Sequence, residues 1–188
     1  MSESLAGQCL IALKHLRDPN FFRSVVLMVE HGSTGAMGLV INRPSRVSVV
    51  KALEGHFELP ESSDLVYTGG PVEQAALFIM HNSAELGGSE PPLIPGLFVG
   101  SSAETFEEVV RNAAEGRAGL KYRILAGYSG WAPDQLESEI SRGDWRAVPA
   151  TADQIFQNDP YTLWDLLTNQ VSPTRKLAPH PSNKPEWN

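Results

Sequence analysis

Apolar residues in the first half of the chain fall in short runs that stop abruptly at polar or turn residues. Residues 8–13 form one run, and residues 25–29 and 37–41 form two more. The latter two flank His31-Gly32-Ser33-Thr34-Gly35, whose glycines accept positive φ, so the stretch from Ser24 to Pro44 predicts a β-hairpin buried at its centre. Its first strand runs out at Glu30-His31 and its second at Asn42-Arg43-Pro44. Beyond Pro44 the apolar period lengthens. Val47, Val50 and Leu53 predict a short helix stopped by Gly55.

Strands are expected at 65–67, 75–80 and 97–99, with a long Pro- and Gly-containing loop over 83–95. The clearest helix starts at Ser101 or Ser102. Ser101 with Glu104 has the spacing of a capping box, Phe106, Val109, Val110, Ala113 and Ala114 repeat on one face, and Gly116 ends the segment. A strand at 122–126, a helix at 134–141 after Pro133, and a strand at 145–148 follow. Thr151 with Gln154 caps a helical turn, and a last helix carries Leu163, Trp164 and Leu167. Hairpin signals dominate and regular βαβ alternation is missing. The fold class expected is therefore α+β, a single compact domain whose large, mixed and mainly antiparallel sheet is flanked by helices. That domain should span 1–171, with 172–188 a Pro-rich tail.

A chain of 188 residues can bury a core without covalent staples. With one cysteine, Cys9, no intrachain disulfide can form, which suits a reducing compartment. The N-terminus lacks a basic leader, and no run reaches the roughly 20 apolar residues of a membrane span, so a soluble, cytoplasmic protein is expected. The net charge of −7 works against non-specific nucleic-acid binding, and the helices carry no Arg/Lys-rich face. Direct nucleic-acid binding is therefore disfavoured, and no membrane partner is expected.

Candidate chemistry gathers where strands end. Glu30 and His31 have the residue types of an acid/base or metal-ligand pair, although neighbours on a strand face opposite ways. The alternative is that Glu30 meets a basic residue and His31 caps a turn. Arg43, beside Asn42, has the fork that grips a carboxylate or phosphate, or else forms an internal salt bridge. Gly69-Gly70-Pro71 and the turn holding Ser129 and Trp131 can offer backbone N–H groups to an anion, or are simply turns. Late aromatic residues (Tyr128, Trp131, Trp145, Phe156, Trp164) line either a pocket or the core. There is no Walker loop, GxGxxG fingerprint, HExxH or complete nucleophile elbow, so no catalytic constellation, metal site or cofactor is expected. The candidate ligand-binding set is Asn42, Arg43, Glu30, His31, Gly69, Gly70, Ser129 and Trp131, and the expected partner is a protein or a small anionic ligand.

Three segments, LIALKHLRDPNFFRSVVLMVEHGSTGAMGLVINRP, YTGGPV and ILAGYSGWAPDQLESEISRGDW, resemble the YqgE/AlgH family of bacterial proteins, in order and over about residues 7–167. The resemblance implies a compact α+β domain with a large mixed sheet in the bacterial cytoplasm. It also implies a transcriptional-regulator label and brings no catalytic residues. The function expected is that of a regulator acting through protein or small-ligand contacts rather than catalysis, the alternative being a phosphate- or carboxylate-binding domain or an enzyme of unknown reaction. His15-Leu16 stands where the family usually has a Pro-containing turn.

Overall fold

The computed structural model describes residues 4–88, 90–156 and 159–171. The hairpin forms as expected from strands β2 (Val25–Gly32) and β3 (Gly35–Val40), closed by Ser33-Thr34 with Gly32 opposite Gly35. Strand β1 (Gln8–Ala12) pairs antiparallel with β2. β4 (Pro44–Ser48) and helical turn α1 (Val49–Ala52) come next, then β5 (Leu65–Thr68), β6 (Val72–His81), β7 (Phe98–Gly100) and helix α2 (Ala103–Ala114). Strand β8 (Tyr122–Trp131), helix α3 (Gln135–Arg142), β9 (Trp145–Pro149), helical turn α4 (Ala152–Ile155) and helix α5 (Leu163–Val171) complete the described chain. The strands form one mixed sheet in the order β4-β5-β8-β3-β2-β1-β9, with β6 also on β8 and β7 on β6. Among these pairings, β5 with β8 is the parallel one.

The central strands are buried on both faces, which is why their sequences are continuous apolar runs rather than alternating ones. Cys9, Ile11, Val25, Leu27, Leu39 and Ile41 face one side and pack under Ile155, Phe156, Leu163, Trp164 and Leu167 of the α4–α5 region. Leu10, Ala12, Val26, Met28 and Val40 face the other and meet Trp131, Leu136 and Trp145 beneath α3. Further along β8, adjacent Ile124 and Leu125 divide in the same way. Leu125 joins the first cluster, while Ile124 packs with Ile79, Val66, Phe106 and Val109 under α2.

Strand β8 joins the two halves of the sheet. Its first part pairs with β6 and β5, and Ser129–Gly130–Trp131 pair with β3. The change of partner needs the chain after β5 to pass directly over β8. A Cβ on Gly69 would sit 2.3 Å from the Gly127 carbonyl oxygen, and one on Gly70 2.1 Å from the Tyr128 carbonyl. Gly127 takes φ +73 at the crossing, a conformation that L side chains rarely adopt.

The sequence expectations need four corrections, the first at 127–131, which is read as a turn holding Ser129 and Trp131 but continues β8 to Trp131 and pairs with β3. Residues 44–48 form a strand, because Pro44 and Ser48 pair with Tyr67 and Leu65. The helix after Pro44 shrinks to one turn, and Val47 lies on β4, exposed. The cap of α2 is Ser102, whose hydroxyl accepts the Thr105 N–H at 3.1 Å, not Ser101. Helix α3 begins after Asp134, which sits at φ +62 with no side-chain cap, while Gln135 Oε1 accepts the Ala132 N–H at 3.0 Å. The Pro-rich tail, 172–188, lies outside the described residues.

Candidate functional site

At the open end of the hairpin, the loop before β2 is wound tightly. Asp18 accepts the N–H groups of Phe21 and Phe22 on its carbonyl and that of Asn20 on Oδ1. Arg23 then takes φ +53 before the chain enters the sheet. Asn42, buried, completes that entry. Its Oδ1 accepts the Val25 N–H at 2.9 Å and its Nδ2 donates to the Arg23 carbonyl at 3.0 Å, so the side chain replaces a missing strand partner.

Arg43 makes the loop rigid. Its guanidinium donates to the carbonyls of Pro19 (3.3 Å), Asn20 and Phe22 (2.7 Å). Burial lowers its pKa, and Asp18 acts in the opposite direction. No carboxylate among the described residues pairs with it. Beside it, Arg23 makes two bonds to Asp165 (2.8 and 2.9 Å) and lies over the Trp164 ring at 4.6 Å.

These groups border a groove of about 650 Å³ walled by Arg23, Asn42, Arg43, Pro44, Thr68, Tyr161 and Asp165. Phe22, 51% exposed, neighbours the groove in sequence, and Tyr161, 72% exposed, forms part of its wall. A second cavity, about 430 Å³, shares Pro44 and Tyr161 and also includes Arg123 and Tyr67 in its wall. A concavity of similar size to the groove, about 670 Å³, lies between residues 59–64 and α2. Its wall holds one cation, Arg117, which pairs with Glu85, and two carboxylates, Glu61 and Asp64, so it is net negative where the groove is net positive.

The eight residues singled out from sequence do not converge. Asn42 and Arg43 sit at the groove. Gly69, Gly70 and Ser129 lie at the strand crossing, where the Gly69 N–H donates to Ala126. The Gly69 carbonyl there accepts Val40 N–H and, at 3.4 Å, the Ser129 hydroxyl. Ser129 is fully buried. Glu30, His31 and Trp131 belong to the turn end of the hairpin, Glu30 pointing to solvent.

His31 accepts the Leu5 N–H on Nδ1 at 3.1 Å, which leaves the hydrogen on Nε2 to donate to Glu137 at 2.8 Å. The Glu137 carboxyl titrates lower than usual through its own backbone N–H first and through His31. Trp131 and Trp145 each donate their indole N–H to Glu139 Oε2 at 2.9 Å, and Gln135 donates to Oε1. These aromatics are core, stacked around Phe21. Among the described residues, no group of three or more His, Cys, Asp or Glu is placed to hold a metal ion.

Sequence reasoning passes over Arg123, Tyr161, Thr68 and Asp165. Only Arg123 carries a signal, as a lone cation inside the apolar run of β8.

The arrangement defines an α+β domain with a cation-lined groove of ligand size at the mouth of its central hairpin. The chain belongs to the AlgH-like family (DUF179), whose model matches residues 9–174. It is 37% identical over 166 residues to a UPF0301 protein of Myxococcus xanthus, covering 87% of this chain and 88% of that one. It is 36% identical over 183 residues to a UPF0301 protein of Mycobacterium bovis, covering 94% and 87%. The solution structure of the AlgH protein from Pseudomonas aeruginosa matches with TM-score 0.73 and 33% identity, over 92% of this chain and 93% of that one. A crystal structure from Corynebacterium diphtheriae has the same fold at TM-score 0.74 and 24% identity, over 92% and 90%. No described helix is long and apolar enough to cross a membrane.

Proposed function

We propose that the protein is a regulatory binding module rather than a catalyst, and that its ligand is a small anionic molecule held in the groove at the hairpin mouth. The observation that carries this reading is convergence. Arg23, the pair Asn42-Arg43 with Pro44, and Thr68 come from three separate segments of the sequence, and all wall one 650 Å³ space. The wall carries two guanidinium groups and the Thr68 and Tyr161 hydroxyls, groups that bind and orient anions but are poor proton shuttles. Arg43 is engaged by the loop carbonyls and holds the wall in shape, so the anion would meet the donors of Arg23 other than Nη2, which engages Asp165.

The transcriptional-regulator label attached to the family would then be served through ligand sensing rather than direct contact with DNA. A protein partner is the second reading, and Phe22, Tyr161 and Leu166, all exposed around the Arg23–Asp165 pair, favour it.

The experiment is a thermal-shift screen of phosphorylated and carboxylated metabolites on the wild type, on Arg23→Ala and on Tyr161→Ala. A true ligand at about 100 times its Kd adds about 2.7 kcal/mol and raises Tm by several degrees. The effect should shrink in both variants. A panel in which no compound stabilises the wild type, beside a pull-down in which a partner is lost on Tyr161→Ala, would replace the ligand by a protein.

A further inference from the structure

Arg123 stands inside the sheet on β8, only 7% exposed, yet it has no carboxylate partner among the described residues. Its Nη1 donates to the Ile41 carbonyl at 2.8 Å, and its guanidinium lies 4.3 Å from the centre of the Tyr67 ring. A guanidinium has five N–H donors in a fixed fork, and one carbonyl engages only one of them. Desolvation works against this charge and lowers its pKa. A carbonyl bond and a ring stack alone do not need a permanent cation, since a neutral side chain of similar length packs there without desolvating one. The side chain also borders the 430 Å³ cavity beyond Pro44 and Tyr161.

The charges around that cavity set the ligand's charge. Lys121 stands in the same wall and adds a second cation. Asp64 also stands there, its carboxylate accepting the Tyr122 hydroxyl at 2.9 Å. Two cations and one anion leave a single net positive charge facing the space. A monoanion matches it, whereas a phosphate dianion brings one charge more than the wall neutralises. The rest of the wall is mixed, with the Ser63 hydroxyl on one part and the rings of Pro44, Phe156 and Tyr161 on another, and that second part suits a flat ring.

We propose that Arg123 is the head-group residue of a second subsite, and that this subsite takes an aromatic monocarboxylate. The carboxylate meets the free edge of the Arg123 fork, and the ring lies between Pro44 and Tyr161. The inference rests on the reading of this chain as a ligand-binding module but uses a different cavity from the Arg23 groove.

Benzoate is the probe, with acetate, phenyl phosphate and benzyl alcohol as controls at constant ionic strength. Binding is read by 1H–15N chemical shifts that include the Arg123 Nε–H signal, and by thermal shift. Benzoate should move that signal and bind at least tenfold more tightly than acetate or phenyl phosphate, and benzyl alcohol should leave it in place. Arg123→Met should weaken benzoate at least tenfold, Tyr161→Ala should weaken benzoate but not acetate, and Arg23→Ala should leave benzoate binding unchanged.

If Arg123→Met does not fold, the wild-type shifts and the comparison of the four probes decide alone. An Arg123 signal that ignores benzoate, equal binding of benzoate and phenyl phosphate, or a folded Arg123→Met that binds as the wild type does would each overturn the subsite. Loss of metabolite stabilisation in Arg23→Ala with benzoate binding intact bears on the groove alone. A silent metabolite panel with benzoate bound at Arg123 defeats the groove reading and leaves the subsite standing.

Discussion

Arg43 illustrates how one side chain can hold a binding surface in shape without having much left to offer a ligand. Three carbonyls of one tight loop point at its guanidinium, an arrangement only a multi-donor cation can satisfy. Hydrogen bonds to a charged group contribute about 1.5–3 kcal/mol, less where water competes. Arg43→Ala should therefore lower stability by about 1–3 kcal/mol in urea denaturation, and Arg43→Lys should recover less than half of the loss because an ammonium cannot span the fork. An unchanged urea midpoint for Arg43→Ala would show that the loop holds itself.

In the sequence, Arg43 is visible as a polar residue at the mouth of an apolar strand, and so is Asn42. Their partners are not. Pro19, Asn20 and Phe22 contribute only backbone oxygens, which no residue type announces. Arg23 meets Asp165 across 142 positions, a contact that only the closed fold creates. Arg123 is legible as an anomaly in β8, but its cavity depends on how residues 160–161 and 44 come together.

Among the elements, the crossing of the post-β5 segment over β8 decides whether the two halves of the sheet can join. Glycine there is a matter of space as much as of φ. An alanine Cβ at 70 would fall 2.1 Å from the Tyr128 backbone, and backbone cannot step aside as a flexible side chain can. Gly70→Ala should cost at least about 3 kcal/mol or prevent folding altogether. Gly116 makes the contrast. It follows α2 at φ +74, and a methyl group there would meet no atom within 4 Å. Gly116→Ala should therefore cost only about 1–2 kcal/mol, the strain of a left-handed alanine. Equal urea midpoints for the two variants would mean that the crossing is not tight.

The same pair explains where pattern reading succeeds. Apolar runs bounded by Gly, Asn and Pro locate the hairpin and most strands, because burial on both faces writes itself into composition. A glycine-rich stretch reads as a turn, however, since a close approach of two backbones far apart in the chain leaves no local trace. The strand at 44–48 escapes for a related reason: its apolar spacing suits a helical turn, and pairing with β5 overrides it.

On the scale of the whole molecule, the distribution of charge argues against direct recognition of DNA. The chain carries 22 acidic and 15 basic side chains. Among the described residues, Arg23, Arg111, Arg117 and Arg142 are paired with Asp165, Glu107, Glu85 and Asp144. Arg43 and Arg146 are turned to backbone carbonyls, and Arg123 is buried. Of the cations left over, Lys14 and Arg17 sit in the loop after β1, Arg46 on β4, Lys51 on α1 and Lys121 just before β8, and carboxylates outnumber them. Affinity for duplex DNA depends on cations that release condensed counterions, and a body so arranged has few to offer.

A labelled duplex titrated at about 20 mM salt should therefore show no mobility shift below the weak end of non-specific binding, a Kd of about 10⁻⁴ M. Arg175, Lys176 and Lys184 lie outside the described residues, so the triple alanine variant at these positions belongs in the same gel. A shift in the wild type that disappears in the variant assigns contact to that segment and leaves the folded body uninvolved. A shift that survives the triple substitution and weakens steeply with added salt would mean that the body binds phosphate, and would restore DNA as a direct partner.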